Sequence, residues 1–274
     1  IMKAMPLFAF LLLRVIWGSN FVYMKMASSL ITPMQIVFFR VLFGFAPVAV
    51  YARMVGAVDL RHARHAGHFL VMALLATTVY YYGFAKGTSL LLSGVAGAVR
   101  GAIPLFSLVL AVLFVAEEPA TRFKIAGVLI GFIGVVLIAR PSGAALLSTN
   151  VEGVFYMVAG SLSVGASFVY AKKFIIPLKI PAAALTTYQL GLGLALLSLC
   201  TDYRGMAAIL GDMHATAGLI VGLGLLGTGL AYILYYYIVN ELGVIAASSV
   251  TYIPPVVALL IGAFLVGEPI ALAD

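Results

Sequence analysis

The sequence predicts an all-α polytopic membrane protein made of two inverted five-helix repeats, and three observations carry that prediction. First, 64% of the 274 residues are hydrophobic and 9% are charged, with a mean hydropathy of +1.17. Soluble domains carry about a quarter charged residues, so a water-soluble fold is excluded. Second, the run W-G-S-N-F-V-Y-M-K, Trp17 to Lys25, returns as V-G-A-S-F-V-Y-A-K, Val164 to Lys172. Third, further landmarks recur at nearly the same offset. Ile103-Pro104 matches Ile253-Pro254, Glu118-Pro119 matches Glu268-Pro269, and Phe39-Arg40 meets Tyr188-Gln189. A duplicated helical unit in so apolar a chain is the pattern of a two-repeat transporter.

A bilayer core about 30 Å thick needs roughly 20 apolar residues per helix, which places spans at 5–27, 34–52, 67–85, 90–116, 122–139, 152–171, 182–200, 215–238 and 244–266. The first run follows Lys3 as a signal peptide would, but Arg14 interrupts it and it carries half of the internal repeat. It is therefore expected to be a retained span. Pro47 lies inside the second span, Pro104 inside the fourth and Pro254-Pro255 inside the ninth, where proline removes a backbone hydrogen bond and can kink a helix. The first repeat, 1–140, has a fifth helix after Glu118-Pro119. The second, 151–274, stops five residues after Glu268-Pro269. A tenth helix is expected beyond residue 274. Five helices per unit is an odd number, so the second unit must cross the membrane in the opposite sense.

With the N-terminus in the cytoplasm, nine Lys and Arg residues fall in inner loops and four in outer loops, the bias that the positive-inside rule requires. Most cations thus have a topological reason, and nucleic-acid binding is not expected despite the net charge of +7. One cysteine, Cys200, excludes an internal disulfide and fits no metal site; no cofactor is expected. An intramembrane enzyme would need a Ser-His pair, an H-E-x-x-H motif or paired aspartates at membrane depth, and none occurs. Loops this short do not suit a channel or receptor. Glycines four apart, Gly97/Gly101 and Gly127/Gly131, permit close helix contact, and are expected to pack helices within a monomer.

Several of these motifs together resemble the EamA family of the drug/metabolite transporter (DMT) superfamily. They are W-G-S-N-F in the first span, Arg40 early in the second, G-F-A-K-G-T-S from Gly83, Pro104, Glu118-Pro119 and G-V-L-I-G-F-I-G from Gly127. The resemblance spans nearly the whole chain. It implies a ten-helix DMT-type fold, of which nine spans are visible here. It also implies residence in the plasma or inner membrane and transport of small metabolites, amino-acid export in particular, with an exporter of aromatic amino acids as an expected relative. Phosphorylated and nucleotide-sugar substrates stay open as the alternative.

In inverted-repeat transporters the site lies near the midplane between repeats. Tyr80, Tyr81, Tyr82 and Phe84 cluster in the third span, and Tyr232, Tyr235, Tyr236 and Tyr237 in the eighth. Thr78 and Tyr82 lie at i, i+4, as do Thr228 and Tyr232, so each pair shares a helix face. Tyr82 and Tyr232 are therefore expected to line the pathway, with Tyr81 and Tyr235 beside them; other tyrosines suit the interfacial belt. Trp17 and Asn20 sit mid-span, with Ser167 aligned to Asn20. Such groups either line the pathway or bond neighbouring helices. Tyr252, two residues before Pro254, joins the candidate set. Arg14, Arg40 and Arg100 lie inside spans with no mid-span acid to neutralise them, and a central arginine costs about 2.5–3.5 kcal/mol on insertion scales. Arg100 is the candidate for a substrate carboxylate, since guanidinium binds carboxylate bidentately. Arg40 is equally readable as a clamp on helix carbonyls, and Arg14 as snorkelling to the inner surface. Without a mid-span Asp or Glu, the usual proton relay has no carrier, so facilitated diffusion or another coupling mode is expected.

Overall fold

This computed structural model describes residues 4–91, 99–115, 120–139 and 150–252, and all regular structure among them is helical. The expectations on Gly97, Glu118-Pro119, Pro254-Pro255, Glu268-Pro269 and most of the ninth span lie outside the described residues. Helix α1 covers Ala4–Ser28. Helix α2, Pro33–Met54, begins at a capping box in which the Thr32 hydroxyl accepts from Gln35 N while Gln35 Oε1 accepts from Thr32 N. This satisfies two backbone donors that a helix start leaves without partners. The third span comprises α3 (Ala66–Ala73), a wide π-type turn (Leu74–Thr78) and α4 (Val79–Leu90). A turn at Gly101–Ala102 then leads into α5, Ile103–Phe114, followed by α6, Arg122–Ala139.

The second half repeats this order. Helix α7, Val151–Tyr170, starts where Gly153 N donates to Asn150 Oδ1, and α8 covers Ala182–Cys200. The short α9, Met213–Ala217, runs into a π-helical stretch, Gly218–Leu230, and on into α10, Ala231–Ser248. Among the described residues six helical stretches are long and apolar enough to cross a membrane. The sequence separates an eighth from a ninth span between 238 and 244. The chain carries helix through that interval but breaks it at Gly243, whose φ of 79° lies in the left-handed region that glycine adopts without strain.

Packing partners exchange between the halves. Helix α1 packs on Gly218–Leu230 and α10, and its counterpart α7 packs on α4. Helix α2 packs on Gly218–Leu230, and its counterpart α8 on α3. Helix α5 packs on α7, as the 3-10 turn Ser249–Tyr252 packs on α1. Such an exchange is what a pseudo-two-fold axis produces. With the five spans the sequence places before α7, the halves run in opposite senses and the axis lies in the membrane plane. In lipid there is little hydrophobic drive between helices, so close fit holds them together. A side chain at Gly44 of α2 would stand 2.9 Å from Thr228 Cγ2, and one at Gly193 of α8 3.0 Å from Thr77 Cγ2. The two contacts are mirror images.

Candidate functional site

The site is built on the two π-type stretches. A π turn inserts one residue into the helical register and loosens the i→i−4 ladder, leaving carbonyls that must find partners inside the membrane. Each stretch is satisfied from the opposite half. Ser163 Oγ donates to Leu75 O at 2.7 Å, the Tyr232 hydroxyl donates to Ala76 O, and Arg40 Nη2 donates to Gly227 O at 3.3 Å.

Two crossed polar contacts lie at the centre. Arg40 Nε donates to Thr228 Oγ1 at 3.1 Å, and Gln189 Nε2 donates to Thr77 Oγ1 at 2.9 Å. Arg40 and Gln189 are repeat counterparts, so each half reaches into the other with the same helix position. The Tyr236 hydroxyl completes the neutral side by donating to Gln189 Oε1 at 2.5 Å. The Arg40 guanidinium lies 3.9 Å from the Tyr81 ring centroid. Arg40 is 5% exposed, and Thr77, Gln189 and Thr228 are fully buried, so the cluster is closed to solvent here. Among the described residues the one ion pair joins Arg61 to Asp59, outside the spans. No described carboxylate accompanies Arg40.

The sequence-selected residues divide around this cluster. Thr228, Tyr232 and Tyr81 belong to it, with Tyr80 4.7 Å from Tyr81 between ring centroids. Tyr235 packs 5.7 Å from Tyr232, and its hydroxyl meets Ser167 Oγ at 3.1 Å. Trp17 and Asn20 are buried on α1, and a side chain at Gly227 would collide with Asn20 Oδ1. Arg100 lies over the Phe84 ring, 4.9 Å from its centroid, and within reach of Tyr80, so it too stands beside the tyrosines. Arg14 lies 4.0 Å from the Phe10 centroid.

Two residues stand apart. Tyr82 is 38% exposed and faces Tyr156, while Thr78 is only half-buried. The π turn explains this: Thr77 and Tyr81, one residue earlier, take the positions that match Thr228 and Tyr232, so the repeat offset here is one residue longer than the sequence landmarks indicate. Tyr252 donates its hydroxyl to Val128 O at 2.5 Å and packs on Gly131 of α6. It seals the fifth helix rather than joining the cluster. Sequence reasoning did not nominate Thr77, Gln189 and Tyr236; the match of Arg40 to Gln189 was the signal that points to Gln189. An apolar crevice of about 210 Å³ lies elsewhere, between α2 and residues 206–220, lined by Phe39, Phe43, Ile209 and Leu219. It offers no charge to an amphipathic solute.

The model of the EamA-like transporter family matches twice, at residues 4–140 and 151–274. The chain belongs to the EamA-like transporter family. It is 27% identical over 260 residues to a protein of Archaeoglobus fulgidus named as an uncharacterized transporter, covering 93% of this chain and 88% of that one. It is 25% identical over 253 residues to the Bacillus subtilis uncharacterized transporter YdfC, covering 92% and 80%. Over 181 residues it is 29% identical to the uncharacterized inner membrane transporter YedA of Escherichia coli K12, spanning 65% of this chain and 56% of YedA. A solved crystal structure shares the fold, with a TM-score of 0.76 at 17% identity, covering 98% of this chain and 91% of that one. This EamA-like protein is thus a multi-pass membrane transporter of DMT type.

Proposed function

We propose that the protein exports small amphipathic metabolites, foremost amino acids and among them aromatic ones, by alternating access between repeats 1–140 and 151–274. The N-terminus lies in the cytoplasm of a cell whose plasma or inner membrane holds the transporter. One observation carries this reading: a buried guanidinium without a described carboxylate sits among tyrosines where the two halves cross. An uncompensated cation in a membrane is costly and draws an anionic partner, while tyrosine supplies apolar area and a hydroxyl to the rest of the solute. Rocking of one half against the other parts the crossed contacts and opens the cluster to each side in turn. Trp17, Asn20, Tyr81, Arg100, Ser167, Thr228, Tyr232 and Tyr235 then face the solute.

A second reading, phosphorylated or nucleotide-sugar substrates, is favoured by two arginines beside one tyrosine pair, Arg40 over Tyr81 and Arg100 within reach of Tyr80. The described acids Asp59, Glu152, Asp202 and Asp212 lie at helix ends or in loops and Glu241 lies beside the break at Gly243, which supports facilitated diffusion or a coupling mode other than a carboxylate proton relay. Uptake into liposomes holding the purified protein tests the reading with labelled amino acids beside labelled sugar phosphates, with and without a pH jump. Amino-acid movement that ignores the pH jump is expected. Movement of sugar phosphates alone would reject the amino-acid reading, and strict dependence on the jump would reject transport without proton coupling.

A further inference from the structure

The duplication supplies an internal control for the cluster. On the neutral side the two side chains that matter are matched: Gln189 is held by Thr77 and Tyr236, and Ser167 Oγ donates to Val164 O and meets the Tyr235 hydroxyl, although Thr186 Oγ1, one turn from Gln189, has no partner. The counterparts of Gln189 and Ser167 are Arg40 and Asn20, and that side is incomplete. Asn20 is 7% exposed, yet its Oδ1 has no hydrogen-bond partner. Guanidinium has five N–H donors, and Arg40 directs one to Thr228 Oγ1 and one to Gly227 O. Three remain, together with the positive charge.

Both groups converge on one residue. Gly227 gives its carbonyl to Arg40, and the absence of a side chain there makes room for Asn20 Oδ1. A cationic donor and a neutral orphan acceptor therefore stand side by side against the π-helical stretch. Leaving a buried acceptor unmatched is unfavourable, and a bound donor would recover that cost.

We propose that Asn20 and Arg40, meeting at Gly227, read the zwitterionic head of an α-amino acid: its carboxylate joins the Arg40 guanidinium and its ammonium donates to Asn20 Oδ1. This rests on the amino-acid reading above and sharpens it. Carboxylate fits the guanidinium edge, and the zwitterion adds no net charge to a buried site. A phosphate dianion, by contrast, sets its own lone pairs against Asn20 Oδ1. Tyr81, stacked on Arg40, and Tyr232 are buried beside this point and offer apolar surface to the amino-acid side chain once the halves part.

The test uses the full chain in liposomes. Competition is measured for L-phenylalanine and L-leucine, for 3-phenylpropionate and 4-methylpentanoate, which lack the amine, and for phenethylamine and isopentylamine, which lack the carboxylate. Wild type binds at least one of the two amino acids about 10-fold more tightly than its analogues. Asn20→Ala weakens that amino acid about 10-fold, equivalent to 1.4 kcal/mol, and leaves the amine-free acid unchanged. Asn20→Asp puts a carboxylate beside Arg40 and shifts preference toward the amines, a gain that misfolding cannot imitate. Equal loss for amino acid and amine-free acid in Asn20→Ala, or no gain for amines in Asn20→Asp, overturns the head-group assignment while wild-type amino-acid binding leaves the broader reading intact. Wild type that ignores both amino acids but takes glucose 6-phosphate overturns both.

Discussion

Replacing Arg40 with methionine separates a structural clamp from a substrate-binding cation. The variant keeps an unbranched apolar stem, shorter than arginine, and removes the charge. Lost with it are the 3.1 Å bond to Thr228 Oγ1, a longer one to Gly227 O and the Tyr81 stack. A hydrogen bond to a charged group contributes about 1.5–3 kcal/mol, and a desolvated cation–π contact about 2 kcal/mol. Against this, the membrane no longer holds an arginine, which relieves about 2.5–3.5 kcal/mol. Thr228 keeps a partner, because its hydroxyl also donates to Leu223 O at 2.8 Å. With two charged hydrogen bonds and the stack counted, the loss exceeds the relief and leaves a net destabilisation of about 1.5–5.5 kcal/mol. For a chain of this size that lowers Tm by roughly 3–20 °C. Transport by the folded fraction should also fall about 30-fold or more, since breaking a buried charged contact with a partner costs about 2–5 kcal/mol. Thermal unfolding in detergent and amino-acid counterflow in liposomes are measured on the same preparation. A loss of stability with the surviving folded fraction transporting normally would refute the reasoning and make Arg40 a clamp.

The mirror position should respond in stability. Gln189→Leu strands the Tyr236 hydroxyl and the Thr77 hydroxyl, each fully enclosed, and should destabilise by about 2–4 kcal/mol; adding Tyr236→Phe should recover part of it, and additive losses in unfolding scans would contradict this. Gly44→Val thrusts methyls against Thr228 and Gly224 O, so about 1–3 kcal/mol of overpacking is expected, whereas Gly127→Ala enters open space and should stabilise α6 by up to about 1 kcal/mol; equal unfolding midpoints would contradict the packing described. Outside the spans, the side chain and backbone N–H of Arg61 hold the Asp59 carboxyl below its ordinary 3.8. Its contribution to the 60–65 turn is therefore complete above that value and lost as pH falls through the lower folded-state value. A carboxyl NMR titration should place the Asp59 midpoint below 3.8, and a midpoint at or above it would contradict the contact.

Much of the fold was legible because the constraint is simple. Apolar runs between loop cations mark the helices, and the Trp17–Lys25 and Val164–Lys172 runs expose the duplication. The observed helices Ala4–Ser28, Pro33–Met54, Arg122–Ala139 and Ala182–Cys200 fall within a few residues of the expected spans. The site was less legible, for a local reason. An i, i+4 rule assumes α-helical register, and the π turn at Leu74–Thr78 shifts that register by one, so Thr78 and Tyr82 were selected where Thr77 and Tyr81 turn inward. Nothing in the residue types of L-L-A-T-T announces a π turn; it appears only when Tyr232 and Ser163 arrive from the other half to take its carbonyls. Gln189 was hidden for a similar reason. A lone glutamine in an apolar helix reads as a packing residue until its crossed partner, Thr77, is in view.

Access to the buried crossing between the halves tests the account most directly. With Cys200, the single native cysteine, replaced by serine, a thiol is introduced as Thr186→Cys, one turn from Gln189 on α8 and fully buried. Membrane-impermeant thiol reagent is then applied from either side of sealed vesicles. The account predicts slow labelling from both faces, with transported amino acid changing the balance between them. Labelling from neither face, or from one face alone at a rate indifferent to amino acid, would contradict it.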